Sequence, residues 1–131
     1  MIRILIADDH ILVRRGLRAI LNHMDNVEVV GEAADGIEAV DLVKELEPDI
    51  VVMDLSMPRL DGIGATGQIH QLNGPTHVVV LSIHNDPNLV QKVLQTGAEG
   101  YLVKRSVSEE LMPAIDHVSQ GKTYISHHID L

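Results

Sequence analysis

Four short apolar runs that lack strict alternation divide the chain, and helix-like segments lie between them. Continuous apolar runs of this length are typical of parallel strands that are covered on both faces. A fifth run is more polar, which suits a strand nearer the sheet edge. We therefore predict five strands, at residues 2–7, 27–32, 49–53, 77–81 and 100–103.

Helical spacing of apolar residues follows these runs. Val13, Leu17 and Leu21 recur at i, i+4 and i+8, the stripe that an amphipathic helix buries against a core. Comparable stripes follow the second and fourth runs. Strands that alternate with helices five times predict a parallel sheet with right-handed crossovers and helices on both faces.

Local signals mark the ends of the later helices. Asp86 and Pro87 predict the start of the fourth helix, and Gly97 predicts its end. Ser106, with Glu109 three residues further on, predicts a capping box at the start of the fifth helix.

Two segments contain residues that disfavour helices. The third helical segment includes Gly62, Gly64 and Gly67, each costing about 1 kcal/mol relative to alanine inside a helix. We expect this helix to be the weakest or the shortest. Pro113 falls within the last helical pattern, where it predicts a kink or a delayed start of that helix.

Length and composition fit a single domain without disulfides. The chain has 131 residues, of which 45% are hydrophobic, and no cysteine. It shows no apolar run of membrane-spanning length and no secretory signal, so we expect a cytoplasmic protein that does not contact membranes. The net charge of −9 argues against this chain gripping nucleic acid, since phosphate contacts need clustered Lys and Arg. Its expected partners are proteins or cations.

Polar residues stand at the ends of the predicted strands. Asp8 and Asp9 follow the first strand, Asp54 the third, Ser82 the fourth and Lys104 the fifth. Ligands of doubly wound sheets bind beyond the carboxyl ends of the strands. We therefore expect these side chains to share one pocket.

Three carboxylates in one pocket repel one another, and a divalent cation removes that conflict. Oxygen ligands and the absence of thiolates favour Mg²⁺, with Mn²⁺ as a substitute. A carboxylate beside the metal can attack phosphorus in line, and Lys104 and the Ser82 hydroxyl are the natural donors to the phosphoryl oxygens. Taken singly, an Asp pair is more often a helix cap, and a lysine or serine an ordinary strand-end residue.

These motifs resemble a known family. Residues 48–62, PDIVVMDLSMPRLDG, resemble the phosphorylation-site segment of the response-regulator receiver domains of two-component systems. With Asp8-Asp9-His10 and the segment GAEGYLVK at 97–104, the resemblance runs from residue 1 to about 121. The segments LSIHND at 81–86 and GKTYIS at 121–126 resemble the NarL/FixJ (LuxR-type) subgroup, whose members usually carry a C-terminal helix-turn-helix.

The resemblance implies a flavodoxin-like (βα)5 three-layer sandwich with a parallel sheet of strand order 2-1-3-4-5. It divides the chain into a receiver domain, residues 1–121, and a C-terminal tail or start of a linker to an absent output domain, residues 122–131.

The resemblance also implies roles for site residues. Asp54 is the phosphoacceptor, and the magnesium ligands are Asp9, Asp54 and the backbone carbonyl of Ser56, with Asp8 acting through water. Ser56 also occupies a position that modulates the phosphorylation rates.

Ser82 and Tyr101 form the switch pair in this resemblance: Ser82 moves toward the phosphoryl group and Tyr101 turns inward behind it. The alternative for Tyr101 is an edge-strand tyrosine with a solvated hydroxyl. His84 lies two residues after Ser82, near the pocket mouth, so we expect its side chain to modulate attack by water and thus the dephosphorylation rate.

The implied function is phosphoryl transfer from a sensor histidine kinase to Asp54, with the domain catalysing its own phosphorylation and dephosphorylation. This shifts a conformational equilibrium that controls a DNA-binding transcriptional output and homodimerisation. We expect the kinase to dock on residues 10–18, where Arg14, Arg15 and Arg18 provide positive charge.

Several alternatives remain open. The chain could be a stand-alone phosphorelay receiver or a pseudo-receiver that works without phosphorylation. A hydrolase with an aspartyl-phosphate intermediate would usually have a second aspartate where Ser56 stands, and a flavin-binding domain would need a glycine-rich phosphate loop where Asp8-Asp9-His10 stands.

Three details depart from the family pattern or leave a question. Arg105 follows Lys104 where many receivers have proline, which leaves the state of that peptide open. Ile83 is bulkier than the usual small residue and could narrow access to Asp54. His127 and His128 suggest a metal site, but adjacent histidines in a flexible tail lack partner ligands, so the tail interpretation is favoured.

Overall fold

The computed structural model describes residues 1–129, and within them a six-stranded parallel sheet is covered by helices on both faces. The strands are β1 (Ile2–Ala7), β2 (Val27–Ala33), β3 (Ile50–Asp54), β4 (His77–Ser82), β5 (Gly100–Val103) and β6 (Tyr124–Ile125). The helices are α1 (Ile11–Leu21), α2 (Gly36–Leu46), α3 (Gly62–Gln71), α4 (Pro87–Thr96) and α5 (Val107–Ser119). The strand order β2-β1-β3-β4-β5-β6 confirms the predicted flavodoxin-like order 2-1-3-4-5 and adds a sixth strand.

Successive residues of the central strands serve two separate cores. Leu5 on β1 and Val51 on β3 belong to the core beneath α2, α3 and α4. Ile4 and Val52, their neighbours in sequence, belong to the core beneath α1 and α5. Burial on both faces explains why these strands appear in the sequence as continuous apolar runs.

The predicted ends of α4 are confirmed. The Asp86 side chain accepts a hydrogen bond from the backbone N–H of Asn88, and Pro87 is the first helical residue. Gly97 ends the helix with φ +125°, a conformation that favours glycine. Helix α3 has 10 residues, as does α4, and these two are the shortest α-helices of residues 1–129.

The start of α5 differs from the sequence prediction in two ways. Ser106 forms no capping box, because its hydroxyl donates to the carbonyl of Val103 within a 3-10 turn over Lys104–Ser106. Of the two outcomes predicted at Pro113, the delayed start is wrong, because α5 begins at Val107 and continues through Pro113, and a kink there stays a prediction. The Lys104–Arg105 peptide is trans.

Helix α5, with 13 residues, is the longest helix of the described range. No helix in that range is long and apolar enough to span a membrane.

The predicted tail contains the short strand β6. The backbone N–H of Tyr124 donates to the carbonyl of Glu99 at 2.9 Å, and that of Ser126 donates to the carbonyl of Tyr101 at 2.8 Å. Tyr124 also packs into the core beneath α1 and α5. Residues 124–126 are therefore part of the folded domain, whereas Asp130 and Leu131 lie outside the described residues.

Candidate functional site

The carboxyl ends of the strands bring two acidic residues and a lysine together. Asp8 directly follows β1, Asp54 is the last residue of β3, and Lys104 directly follows β5. The Lys104 Nζ atom lies 2.9 Å from Asp54 Oδ1 and 3.6 Å from Asp8 Oδ2. Asp8 and Asp54 are buried and Lys104 is half-buried, so the contact is shielded from bulk water.

Asp8 and Asp9 form a compact group with His10. One ligand atom from each of the three lies within 4.8 Å of the other two, and this is the one such group among residues 1–129. His10 Nδ1 is 3.0 Å from Asp9 Oδ1 and 3.4 Å from Asp8 Oδ1. No role in the pocket was predicted for His10, although its place directly after Asp9 in the sequence could have indicated one.

One carboxylate oxygen of Asp8 has no hydrogen-bond partner. Asp8 Oδ1 accepts a hydrogen bond from the backbone N–H of His10 at 2.8 Å, but the buried Oδ2 accepts none within the described part of the chain. A buried carboxylate oxygen without a partner is costly, and a nearby cation removes that cost. The oxygen donors of Asp8 and Asp9 therefore fit a hard divalent cation.

Burial and charge act in opposite directions on Asp54. Burial raises the pKa of Asp54 above its ordinary value, the hydrogen bond with Lys104 lowers it, and the charges of Asp8 and Asp9 raise it further. Burial alone would lower the pKa of Lys104, but the hydrogen bond and charge of Asp54 and Asp8 outweigh it and raise that pKa. A cation beside Asp8 and Asp9 would therefore favour the ionised form of Asp54.

Backbone groups of His84 connect the two predicted switch residues. The N–H of His84 donates to Ser82 Oγ at 3.0 Å, and the carbonyl of His84 accepts from the Tyr101 hydroxyl at 2.8 Å. Tyr101 is fully buried and β6 covers β5, so Tyr101 is not a solvated edge-strand tyrosine. The side chains of His84 and Ile83 are exposed, and the prediction that Ile83 narrows access to Asp54 stays a prediction.

The loop after β3 places α3 directly against the site. Ser56 lies in an exposed bend two residues after Asp54, and its role as a carbonyl ligand remains a prediction. The N–H of Gly62 donates to the carbonyl of Leu55 at 2.9 Å. A Cβ atom at Gly62 would lie 2.4 Å from the carbonyl oxygen of Asp54, so only glycine permits this approach.

Two of the three arginines of α1 are paired. Arg14 and Arg18 both bind the carboxylate of Glu32, at 2.9 Å and 2.8 Å, and the hydrogen bond from Arg18 is the main cause that lowers the pKa of Glu32. Arg15 and Leu12 are exposed on the same helix. The positive charge expected on α1 is thus partly neutralised within the domain.

Comparisons with known proteins agree with this geometry. Residues 4–116 match the family model described as the response regulator receiver domain. The transcriptional regulatory protein DegU of Brevibacillus brevis is 44% identical over 124 residues, which cover 95% of this chain and 52% of DegU. The chain spans about half of the length of the curated relatives it matches.

Solved structures show the same relationship. A LuxR-family two-component response regulator from Aurantimonas sp. SI85-9A1 is 39% identical with a TM-score of 0.92, covering 97% of this chain and 91% of that one. The receiver domain of the putative response regulator NarL from Mycobacterium tuberculosis is 36% identical with a TM-score of 0.88, covering 92% and 98%. The chain therefore belongs to the response regulator receiver domain family, within the NarL/FixJ subgroup of two-component systems.

Proposed function

We propose that Asp54 accepts a phosphoryl group from a phosphohistidine of a sensor histidine kinase, in a reaction that requires Mg²⁺. The observation that carries the proposal is the buried contact between Asp54 and Lys104, next to the Asp8 oxygen that accepts no hydrogen bond and lies 3.6 Å from Lys104 Nζ. A lysine held at one carboxylate oxygen leaves the other free to act as a nucleophile.

Each residue of the site has its own role in the proposed phosphoryl transfer. The Asp54 carboxylate attacks phosphorus, an oxygen–phosphorus bond forms, and the bond from phosphorus to the kinase histidine breaks. Lys104 and the Ser82 hydroxyl donate to the phosphoryl oxygens. Mg²⁺, or Mn²⁺ in its place, would be held by Asp9, Asp54 and the carbonyl of Ser56, with Asp8 acting through water, and would neutralise charge on the phosphoryl group.

Phosphorylation then acts on the network around His84. Ser82 cannot turn toward the phosphoryl group and also accept the 3.0 Å hydrogen bond from the His84 N–H. Loss of that bond releases the backbone that receives the Tyr101 hydroxyl, which couples Asp54 to the face formed by α4, β5 and α5. Ser56 and the exposed His84 side chain modulate the rate of autocatalysed dephosphorylation.

The output proposed for the whole protein is transcriptional. DegU is named a transcriptional regulatory protein, and this chain covers its receiver-like half. We propose that a C-terminal DNA-binding part, homodimerisation on phosphorylation and cytoplasmic location belong to the whole protein. The kinase would dock on α1, where Arg15 and Leu12 are exposed. A pseudo-receiver is disfavoured because the acidic residues and Lys104 are all present and close together.

Incubation with acetyl phosphate and Mg²⁺, followed by intact-mass measurement, tests the phosphoacceptor. We expect one acid-stable, base-labile phosphoryl adduct on the wild type, no adduct on Asp54→Ala, and little adduct when EDTA replaces Mg²⁺. Asp41→Ala, which changes an exposed aspartate of α2, is the matched control and should behave as the wild type. An adduct that persists on Asp54→Ala would contradict the proposal.

A further inference from the structure

A cleft of about 430 Å³ lies between α5 and the segment around β6, away from Asp54. Its lining includes one buried carboxylate and three imidazole rings, contributed by Glu110, His117, His127 and His128. From the sequence alone a metal site at His127 and His128 is disfavoured, because adjacent histidines in a tail have no further ligands nearby. The docking of residues 124–128 against α5 supplies those partners.

Glu110 is buried and its carboxylate is only partly satisfied. Its Oε1 atom accepts from the Ser126 hydroxyl at 3.1 Å and from the backbone N–H of His127 at 3.2 Å. Its Oε2 atom is buried and accepts no hydrogen bond within the described part of the chain. Among residues 1–129 the basic group within 4.0 Å of this carboxylate is the ring of His128, with Nε2 at 3.7 Å from Oε1. A second positive charge near Oε2 would stabilise this buried carboxylate.

We propose that this cleft binds Zn²⁺ through the carboxylate of Glu110 and the Nε2 atoms of His128 and His117, with water as the fourth ligand. Imidazole nitrogen and carboxylate oxygen bind zinc at about 2.0–2.2 Å, so two ligand atoms of a tetrahedral site lie about 3.4 Å apart. The distance of 3.7 Å between His128 and Glu110 is close to that separation. Zinc is favoured over Mg²⁺ because most of the ligands are imidazoles.

His117 has the orientation of a metal-ligating histidine. Its Nδ1 atom lies 2.8 Å from the carbonyl of Pro113, which can only accept, so Nδ1 is the donor and Nε2 is the ring nitrogen left for a metal ion. Histidines that bind metals usually donate their other ring N–H in this manner. The ring of His117 packs edge-on against Tyr124, with centroids 5.3 Å apart, and so faces the docked segment.

Side-chain rotation has to bring the three ligand atoms together, because in residues 1–129 only the Asp8 group already lies within 4.8 Å. His128 is an exposed residue whose ring can turn, whereas Glu110 is held by Ser126 and His127, and His117 is held by the carbonyl of Pro113. A bound ion would link residues 126–128 to α5. The competing account is an ion pair between Glu110 and a protonated His128, which needs no metal.

Zinc titration of the EDTA-stripped chain by calorimetry tests the site, with millimolar Mg²⁺ present to compete at Asp8 and Asp9. We expect one zinc ion per chain and a loss of affinity of about tenfold or more in His117→Ala, His128→Ala and Glu110→Gln. Co²⁺ in place of Zn²⁺ should give the intense visible absorption of a tetrahedral site, and this band should be weakened in the same variants.

His23→Ala is the matched control. The Nδ1 atom of His23 lies 3.0 Å from the carbonyl of Ala19, four residues earlier in the chain, and the Nδ1 atom of His117 lies 2.8 Å from the carbonyl of Pro113 in the same manner. His23 does not line the cleft that contains Glu110. His10→Ala controls for zinc in the Asp8 group. Unchanged affinity in His117→Ala and His128→Ala, binding abolished only by His10→Ala, or no binding at micromolar zinc would each overturn the proposal. The two exposed histidines keep the test decisive if Glu110→Gln fails to fold.

Discussion

Burial of the Asp54 carboxylate opposes folding while no cation is bound. Burial raises its pKa above the ordinary value of 3.8, so the folded state holds the Asp54 proton to higher pH than the unfolded chain does. Between the two pKa values the folded state binds more protons, and stability therefore falls as pH rises through this window. Ionised Asp54 opposes folding until a cation is bound.

The variant Asp54→Asn should accordingly be more stable than the wild type in EDTA at neutral pH, because the amide removes the buried charge. The difference should shrink as pH falls through the window between the raised folded-state pKa and 3.8, because below that window Asp54 is protonated in both states. Urea unfolding at a series of pH values measures it, with the exposed Asp41→Asn as the charge control. Lower stability of Asp54→Asn at neutral pH would show that the attraction to Lys104 outweighs burial.

Individual site residues were predictable where position along a strand decides the outcome. Asp8, Asp54 and Lys104 meet because parallel strands end at one edge of the sheet. The contact between Glu110 and His128 was not predictable, since it depends on how a polar segment docks on α5. Ser106 was misjudged because it belongs to a 3-10 turn, in which its hydroxyl donates to the carbonyl of Val103 and accepts no N–H of α5.

At the level of elements, the first residue of α3 supports the site directly. From the sequence alone, Gly62 is expected only to destabilise the third helix. In the structure, α3 approaches the end of β3 at this residue. A Cβ atom there would lie 2.4 Å from Asp54 O and 2.8 Å from Leu55 Cα, both backbone atoms that do not yield easily.

We expect Gly62→Ala to cost about 1–3 kcal/mol of unfolding free energy, the range for forcing an extra methyl group into a packed region. It should also slow phosphorylation, because the shift falls on Asp54. Gly16→Ala is the opposite case: Gly16 lies within α1 with no atom within 4 Å of an added Cβ, so a gain of about 0.5–1 kcal/mol is expected. Urea unfolding and the acetyl phosphate assay measure both; equal stability of the two variants would contradict this.

Element boundaries were least predictable near the C-terminus. Strand β6 has two residues, too few for any periodic pattern to reveal. Helix α5 tolerates Pro113 because the missing N–H costs one bond, while Leu111, Ala114 and Ile115 remain buried in the core. Packing there outweighs local propensity.

On the scale of the whole molecule, net charge limits what this chain does alone. At −9, with Arg14 and Arg18 engaged by Glu32, it offers no basic surface for a nucleic-acid backbone within residues 1–129. We expect no DNA binding by the isolated chain at physiological salt in fluorescence anisotropy, with or without acetyl phosphate. Binding that weakens steeply with added salt would contradict this prediction.

The overall architecture was the most predictable property of the chain. Alternating apolar runs and helical stripes predicted a parallel sheet with two helical layers, and the resemblance to receivers supplied the strand order. The apolar runs follow from burial of β1 and β3 on two faces, which leaves a strong signal in the sequence, whereas the strand order came from the resemblance alone.

The pairing of β6 with β5 gives Tyr101 two attachments. Its hydroxyl reaches the loop beside Ser82, while its carbonyl holds the N–H of Ser126. Tyr101, the residue proposed to respond to phosphorylation of Asp54, therefore also holds the segment that follows α5. In a longer protein, a small displacement of the Tyr101 backbone would shift Ser126 and change the direction in which the chain leaves the domain. A domain that follows would then move over a larger distance than Tyr101 itself.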